Sequence, residues 1–353
     1  MNGINIFAEV RGIRYTPFLC KRLSIVGFAE IDRLLQKEAS FILEVDGSQI
    51  ALSWWVSPKR TRSYPYARVY DTLSFAGKRA TIIPIVKDEG KDGDRDFLQW
   101  DTVSLMSLLG IYTIISYYVD ALKNQKFKNK ITNQTFDVNH IKDEIIKLLH
   151  YQSDALHWNL SQLENTGAIA KKALNCYRII SQKLGVEMHS WESAEKRIRE
   201  LMKGKETFMQ LSRQLAKEAQ GRERVTVQPK ENLTGTKAAL TVKNYLGGYY
   251  NFTCDEVEIH GRDLYLIEGK HSREKELPSI EDIKDGLLKM ILFTNLKNVK
   301  VGGEFYNTVP ILKLTTSKDI DRKQLKNNQL IDQLLEESRI NGFKLKINDE
   351  LIE

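Results

Sequence analysis

Apolar and polar positions alternate in short runs through the first third of the chain, the two-residue period of half-buried strands. Residues 41–45 and 49–56 are two such runs joined by Asp46-Gly47-Ser48. This spacing predicts a β-hairpin, because Asp-Gly accepts the left-handed backbone of a tight turn. Residues 67–73 and 79–86 read as two further strands joined through Ala76-Gly77, with a polar loop over 87–96 after them. Phe97, Trp100, Val103, Leu105, Leu108 and Leu109 then fall at helical spacing up to a stop at Gly110, and residues 111–118, rich in Ile, Thr and Tyr, read as a strand.

From 137 to 220 the period changes. Ile141, Ile145, Ile146, Leu148 and Leu149 form one helical stripe, continued by Leu156, Leu160 and Leu163 and then by Ile169, Leu174, Ile179, Ile180 and Leu184. The basic stretch before it, Lys123, Lys126, Lys128 and Lys130, reads as a solvated linker. The last third mixes both periods. It predicts a helix over 237–246, two strands over 255–259 and 263–271 with His260-Gly261-Arg262 as the turn, and a helix over 280–296. A strand over 309–315, a helix over 322–341 and a final strand over 343–347 follow. The expectation is a mixed α/β chain in three parts: an N-terminal α/β domain (1–122), a helical region (123–220) and a C-terminal α/β domain (221–353).

Composition narrows the function classes. The 353 residues carry 42% hydrophobic side chains, enough for more than one core. Lys and Arg exceed Asp and Glu by 53 to 46, a net charge of +7 that permits a polyanionic partner such as nucleic acid. The three cysteines are far apart, so neither a disulfide framework nor a zinc site follows, and a reducing cytoplasm is the expected location. The N-terminus lacks the pattern of a signal peptide. The most apolar stretch, 103–119, is too short and too interrupted by Ser, Thr and Gly to span a bilayer, so no membrane is expected as a partner. No P-loop, G-x-S-x-G elbow or H-E-x-x-H motif is present, and Asp92-Gly93-Asp94-Arg95-Asp96 lacks the glycine and the twelfth-position Glu of a calcium loop.

The chemistry concentrates in Asn251 to Lys270, NFTCDEVEIHGRDLYLIEGK. Strand alternation puts Leu264, Leu266, Glu268 and Lys270 on one face, and the turn folds the preceding strand back so that Asp255 approaches Glu268. Glu256 and Glu258 are the other candidate first acids, on the opposite face of their strand. Two carboxylates can hold a hard divalent cation that keeps several waters, and a lysine beside it can orient the attacking water. Phosphodiester hydrolysis needs such a set.

The spacing Asp255-x12-Glu268-x-Lys270, with a helix before the strand pair and a helix and strand after it, resembles the PD-(D/E)XK nucleases, the superfamily of restriction endonucleases and many repair and recombination nucleases. The resemblance covers about residues 235–318 and implies a restriction-endonuclease-like core there. By it, Asp255, Glu268 and the carbonyl of Gly269 would be ligands of Mg²⁺, and Lys270 would act on the attacking water. It implies cleavage of double-stranded DNA to 5′-phosphate and 3′-hydroxyl ends, as in a type II restriction enzyme, and it allows a homodimer. The family's proline before the first acid is replaced by Cys254. Target recognition would fall to the N-terminal and helical parts. There Lys59, Arg60, Arg62 and Tyr64 have the mixture of cations, hydroxyls and aromatics that suits phosphate and base contacts, and equally that of a solvated basic loop. Two alternatives stay open. One is a nucleic-acid-binding protein with a nuclease-like fold and no turnover; the other is chemistry in the N-terminal part around Asp71, Lys87 and Glu89, where Ile85 stands in place of the acid of an E-x-K pair.

Overall fold

The first strand does not pair with its neighbours in sequence. In β1 (Ile4–Val10), Ile6, Ala8 and Val10 are buried and alternate with the outward Asn5, Phe7 and Glu9, the pattern of a strand covered on one face. Its partners begin at Thr236 and Lys297, in the last third of the chain. The computed structural model describes residues 4–58, 63–202, 236–244, 249–273, 277–317, 328–348 and 350–352. The chain is mixed α+β and divides into two compact units, Met1–Arg22 with Gln214–Glu353, and Leu23–Arg213. This replaces the expected division at 122 and 220. The helical stretch is no separate part, and the N-terminal strand leaves the N-terminal part.

The unit from Leu23 to Arg213 opens with β2 (Ile25–Gly27), α1 (Ile31–Lys37), β3 (Ser40–Val45) and β4 (Ser48–Trp54). It continues with α2 (Ser63–Tyr70), β5 (Lys78–Pro84), the short hairpin β6 (Val86–Asp88) and β7 (Arg95–Phe97), α3 (Trp100–Leu108) and β8 (Tyr112–Ser116). A second hairpin, β9 (Tyr118–Lys123) and β10 (Ile131–Phe136), leads into α4 (Val138–His150), α5 (Ala155–Glu164), α6 (Thr166–Leu184) and α7 (Trp191–Met202). Its main sheet runs β2-β3-β4-β5-β8. The β3–β4 turn is the one Asp46-Gly47 predicts, with both residues at positive φ, 47° and 78°. Helices α4 and α5 pack on β8 and α6 on β9, which is why the helical stretch belongs to this unit.

Two expectations fail here. Residues 67–73, expected as a strand, begin inside α2, where Tyr66, Ala67, Val69 and Tyr70 are buried. So short an apolar run carries no period of its own, and Pro65 in the first turn favours the helix. The expected loop over 87–96 is anchored at both ends by the β6–β7 ladder, Val86 opposite Phe97 and Asp88 opposite Arg95.

The other unit continues with β11 (Thr236–Asn244), β12 (Tyr249–His260), β13 (Asp263–Ser272), α8 (Ile280–Phe293), β14 (Lys297–Val301), β15 (Glu304–Phe305), β16 (Asn307–Thr316), α9 (Gln329–Asn341), β17 (Lys344–Ile347) and β18 (Glu350–Ile352). The strands form one nine-stranded sheet among the described residues, in the order β15-β14-β1-β11-β12-β13-β16-β17-β18. Strands β11, β12 and β13 make an antiparallel meander; β16 lies parallel to β13, and β17 parallel to β16. Of residues 237–246, expected as a helix, 237–244 lie in β11 instead and the last two lie outside the described residues. Ala238, Leu240 and Val242 form one buried face and Lys237, Thr241 and Lys243 are only half-buried, but Ala239 is buried as well, which obscures the period of two in the sequence. The helix that the resemblance expects ahead of the motif strands is therefore not found at its expected place.

The segment after β1 is fastened to α9. The fully buried carboxylate of Glu337 accepts a hydrogen bond from Tyr15 Oη at 2.6 Å and one from the Phe18 amide at 3.0 Å. Asn341 exchanges hydrogen bonds with the backbone of Thr16. Among the described residues no helix is long and apolar enough to cross a membrane.

Candidate active site

The hairpin β12–β13 turns at Gly261, whose φ of 61° suits a residue without a Cβ. Its register pairs Val257 with Leu266 and Glu256 with Ile267, so the next step sets Asp255 beside Glu268. On its other edge β12 is bulged. Pairing steps from Ala238–Cys254 to Thr236–Val257, so three steps along β12 match two along β11. The extra residue falls at Asp255–Glu256, and such bulges re-aim a side chain. Asp255 is thereby turned toward β13, where its Oδ2 accepts the amide of Gly269 at 3.1 Å.

Helix α8 covers β13 and β16 and supplies the other wall. It starts at Ser279, whose hydroxyl caps the amide of Asp282, as the Ser-Asp spacing predicts. Ile283, Leu287, Ile291 and Leu292 are buried, whereas Ile280 is exposed at the first turn. Asp285 and Lys289, one turn apart, reach the motif residues. Lys270 Nζ lies 2.9 Å from Glu268 Oε1 and in short contact with Asp285. Lys289 Nζ lies 2.7 Å from Glu268 Oε2 and 3.9 Å from Asp255 Oδ1. Gly286 allows this close approach, since a Cβ there would stand 2.7 Å from Leu312 Cδ1 and 3.2 Å from Lys270 Cε.

The electrostatics follow from two acids sharing one buried place. Glu268 has no solvent exposure; burial and the neighbouring charge of Asp255 push its carboxyl up to about 7, against the pull of Lys270 and Lys289. Burial acts on Asp255 too, but Lys289 and Lys270, with hydrogen bonds from Glu268 and Gly269, hold it below the usual carboxylate range. Burial lowers both ammoniums, and the facing carboxylates outweigh it, so Lys270 and Lys289 are held above the ordinary lysine value. Glu268 Oε1, despite the lysine beside it, has no hydrogen bond of good geometry. Cys254, in the place of the resemblance's proline, is wholly buried with its thiol on the carbonyls of Glu256 and Ile267, and burial pushes it up.

Asp255, Glu268 and Lys270 therefore converge. Among the described residues no group of three or more His, Cys, Asp and Glu gathers as a metal cluster, and the side-chain donors at this place are the carboxylates of Asp255 and Glu268. That set, with a buried Glu268 oxygen that has an ion pair to Lys270 but no hydrogen bond of good geometry, fits a hard cation that retains most of its waters. Of the alternative first acids, Glu256 is buried opposite Ile267, on the other face, and Glu258 pairs with His260 at the hairpin end. Lys59, Arg60 and Arg62 lie outside the described residues. Tyr64 sits on α2 in the other unit, half-buried, with the Arg68 guanidinium 5.0 Å from its ring. Asp285, Lys289 and Gly286 were not singled out from the sequence. The available signal was a lysine between Leu288 and Met290 in a helix that is otherwise apolar at that turn.

The second candidate cluster is built differently. Lys87 and Lys130 both pair with Glu89, at 2.6 and 3.1 Å, and despite burial they hold its carboxyl low. Asp88 accepts from Gly90 N and contacts His189 Nδ1 at 2.7 Å. Tyr177 Oη accepts the Asp88 amide and donates to Gln134. Asp71 is buried at the end of α2.

Compared with protein-family models, curated proteins and solved structures, the chain matches none.

Proposed function

We propose that the chain is a Mg²⁺-dependent endodeoxyribonuclease of the restriction type, acting on phosphodiester bonds of double-stranded DNA. One observation carries the reading: Asp255, Glu268 and Lys270 meet at one buried place beneath α8. The strand–helix–strand order from β12 to β16 also agrees with the PD-(D/E)XK resemblance, and the net charge of +7 suits a phosphate polyanion.

In this reading Asp255 and Glu268, with the carbonyl of Gly269, would hold the cation. When bound, Mg²⁺ would polarise the scissile phosphate and acidify a coordinated water. The protein's own groups do the rest. Lys270 holds the attacking water and offsets charge on the phosphate. Asp285 fixes the Lys270 ammonium at the site, and Gly286 lets the lysine stem lie against α8. Lys59, Arg60, Arg62 and Tyr64 remain the candidates for DNA contact, and a homodimer would let one enzyme cut both strands.

A second reading, a nucleic-acid-binding protein without turnover, draws support from the closed ion pairing, in which each lysine already faces a carboxylate. The experiment that decides is cleavage of plasmid and phage DNA by wild type and Lys270→Ala in Mg²⁺ and in EDTA. Discrete fragments that need Mg²⁺ and vanish in the variant are expected. Cleavage that survives Lys270→Ala would move the chemistry elsewhere. Salt-sensitive DNA binding with no cleavage of any substrate would favour the binding protein.

A further inference from the structure

Lys289 stands where two buried carboxylates need a positive charge. Its ammonium lies 2.7 Å from Glu268 and 3.9 Å from Asp255, the same two acids that the nuclease reading gives to the metal. The two lysines of the site are not equivalent. Lys270 is held on two sides, by Glu268 and by Asp285, and its stem lies under α8 against Gly286. Its side chain is 15% exposed. Among the described residues Lys289 has no ion pair outside the acid pair, although the charge of Asp285 also acts on it, and its side chain is 28% exposed, so it has a route to solvent. A flexible four-carbon stem can swing its ammonium out without moving the helix.

Charge balance points the same way. With Glu268 ionised, as metal ligation requires, Asp255, Glu268 and Asp285 face Lys270 and Lys289 and leave one negative charge in excess. A divalent cation added with Lys289 in place would leave an excess of positive charge in a buried site. The same cation with Lys289 moved out leaves the site neutral, the arrangement of lowest cost.

Resting on the nuclease reading, we propose that Lys289 is a tethered counter-cation, which neutralises Asp255 and Glu268 before metal arrives and which the divalent cation displaces when it binds. Lys289 thereby keeps the strand pair and α8 together in the metal-free protein and sets how much metal is needed to load the site. It is a positioning residue, since it acts through the two acids.

The test is calorimetric titration of the full-length protein and of Lys289→Met with MgCl₂ and with MnCl₂, alongside thermal unfolding in EDTA. Removing a competitor that occupies the site most of the time raises apparent affinity by the inverse of the open fraction, so Mg²⁺ should bind Lys289→Met about tenfold more tightly than wild type. The variant should melt lower than wild type in EDTA and gain more in melting temperature from added metal. A residue with a purely structural role would move metal affinity the other way. If Lys289→Met does not fold without metal, Lys289→Gln, which keeps a donor to Glu268 and loses the charge, reads the same comparison. Wild type that binds metal through Glu268, lost in Glu268→Ala, with position-289 variants that bind no tighter, would overturn this proposal alone. Failure of wild type and variants alike to bind Mg²⁺ or Mn²⁺ would overturn both it and the nuclease reading.

Discussion

Each unit of the molecule carries a cluster of acids and lysines beside a strand end, and the two are balanced differently. Around β6 the single carboxylate of Glu89 faces two lysines, and Asp88 is fixed by His189 and the Gly90 amide. Around β13 two carboxylates share one buried place, with Glu268 wholly buried. The first arrangement is one in which each acid is satisfied locally, as in a structural network. The second stores like-charge repulsion between Asp255 and Glu268, and because carboxylates perturbed in this way are enriched at functional sites, it supports the proposed role. Similar residue types at similar sequence spacing thus reach different charge balances, depending on how many acids a given volume must hold.

The largest expected effect separates the clusters by activity. Lys270→Ala should lower Mg²⁺-dependent DNA cleavage by about 100-fold or more, while Lys87→Ala leaves it unchanged. The reverse result in a plasmid cleavage assay would transfer the chemistry to the β6 cluster. Next comes Asp285→Ala, which frees the Lys270 ammonium. Loss of such an outer partner should reduce cleavage by about tenfold, with the residual rate rising toward wild type in Asp285→Asn if positioning is the role. Gly286→Ala adds a methyl 2.7 Å from Leu312, and overpacking of this kind costs about 1–3 kcal/mol, read by urea unfolding. A neutral result would mean that α8 shifts freely and does not fix Lys270.

Tyr177→Phe sharpens the other side. It leaves the Asp88 amide and Gln134 without their partner and should cost about 1–2 kcal/mol of stability, with cleavage per folded molecule unchanged. The smallest effect is on pH dependence. Lys87 and Lys130 hold Glu89 below its ordinary value, so its contribution is present above the unfolded carboxylate pKa and is lost as pH falls through the folded one. Wild type should therefore lose more stability than Glu89→Gln on acidification below the usual Glu range. Equal losses would show that the ion pairs contribute nothing.

Much of the candidate site's geometry is legible in the sequence. The period-two strands, the Gly261 turn and the acid and lysine spacing placed Asp255, Glu268 and Lys270, because strand alternation and a tight turn are local rules. The Ser279 cap and the apolar stripe of α8 were equally local. Asp285 and Lys289 were not legible, since nothing near them in sequence marks which strand face their helix covers. Two of the misread segments, at 67–73 and 237–246, are short and apolar in a way that both periods tolerate, and packing chose between them.

The sequence by itself determined a mixed α+β chain, the β12–β13 hairpin and the presence of two acids and a lysine on adjoining strands, because each depends on interactions within a few residues. Only the tertiary structure decided that β1 completes the sheet of the last third of the chain, and that Glu337 fastens the segment after it. It alone decided that a bulge turns Asp255 toward β13 and that α8 brings a second lysine between the acids. Those outcomes depend on contacts between residues far apart along the chain, whose pairing is selected by what the assembled sheet can bury and neutralise, and no local pattern encodes that selection.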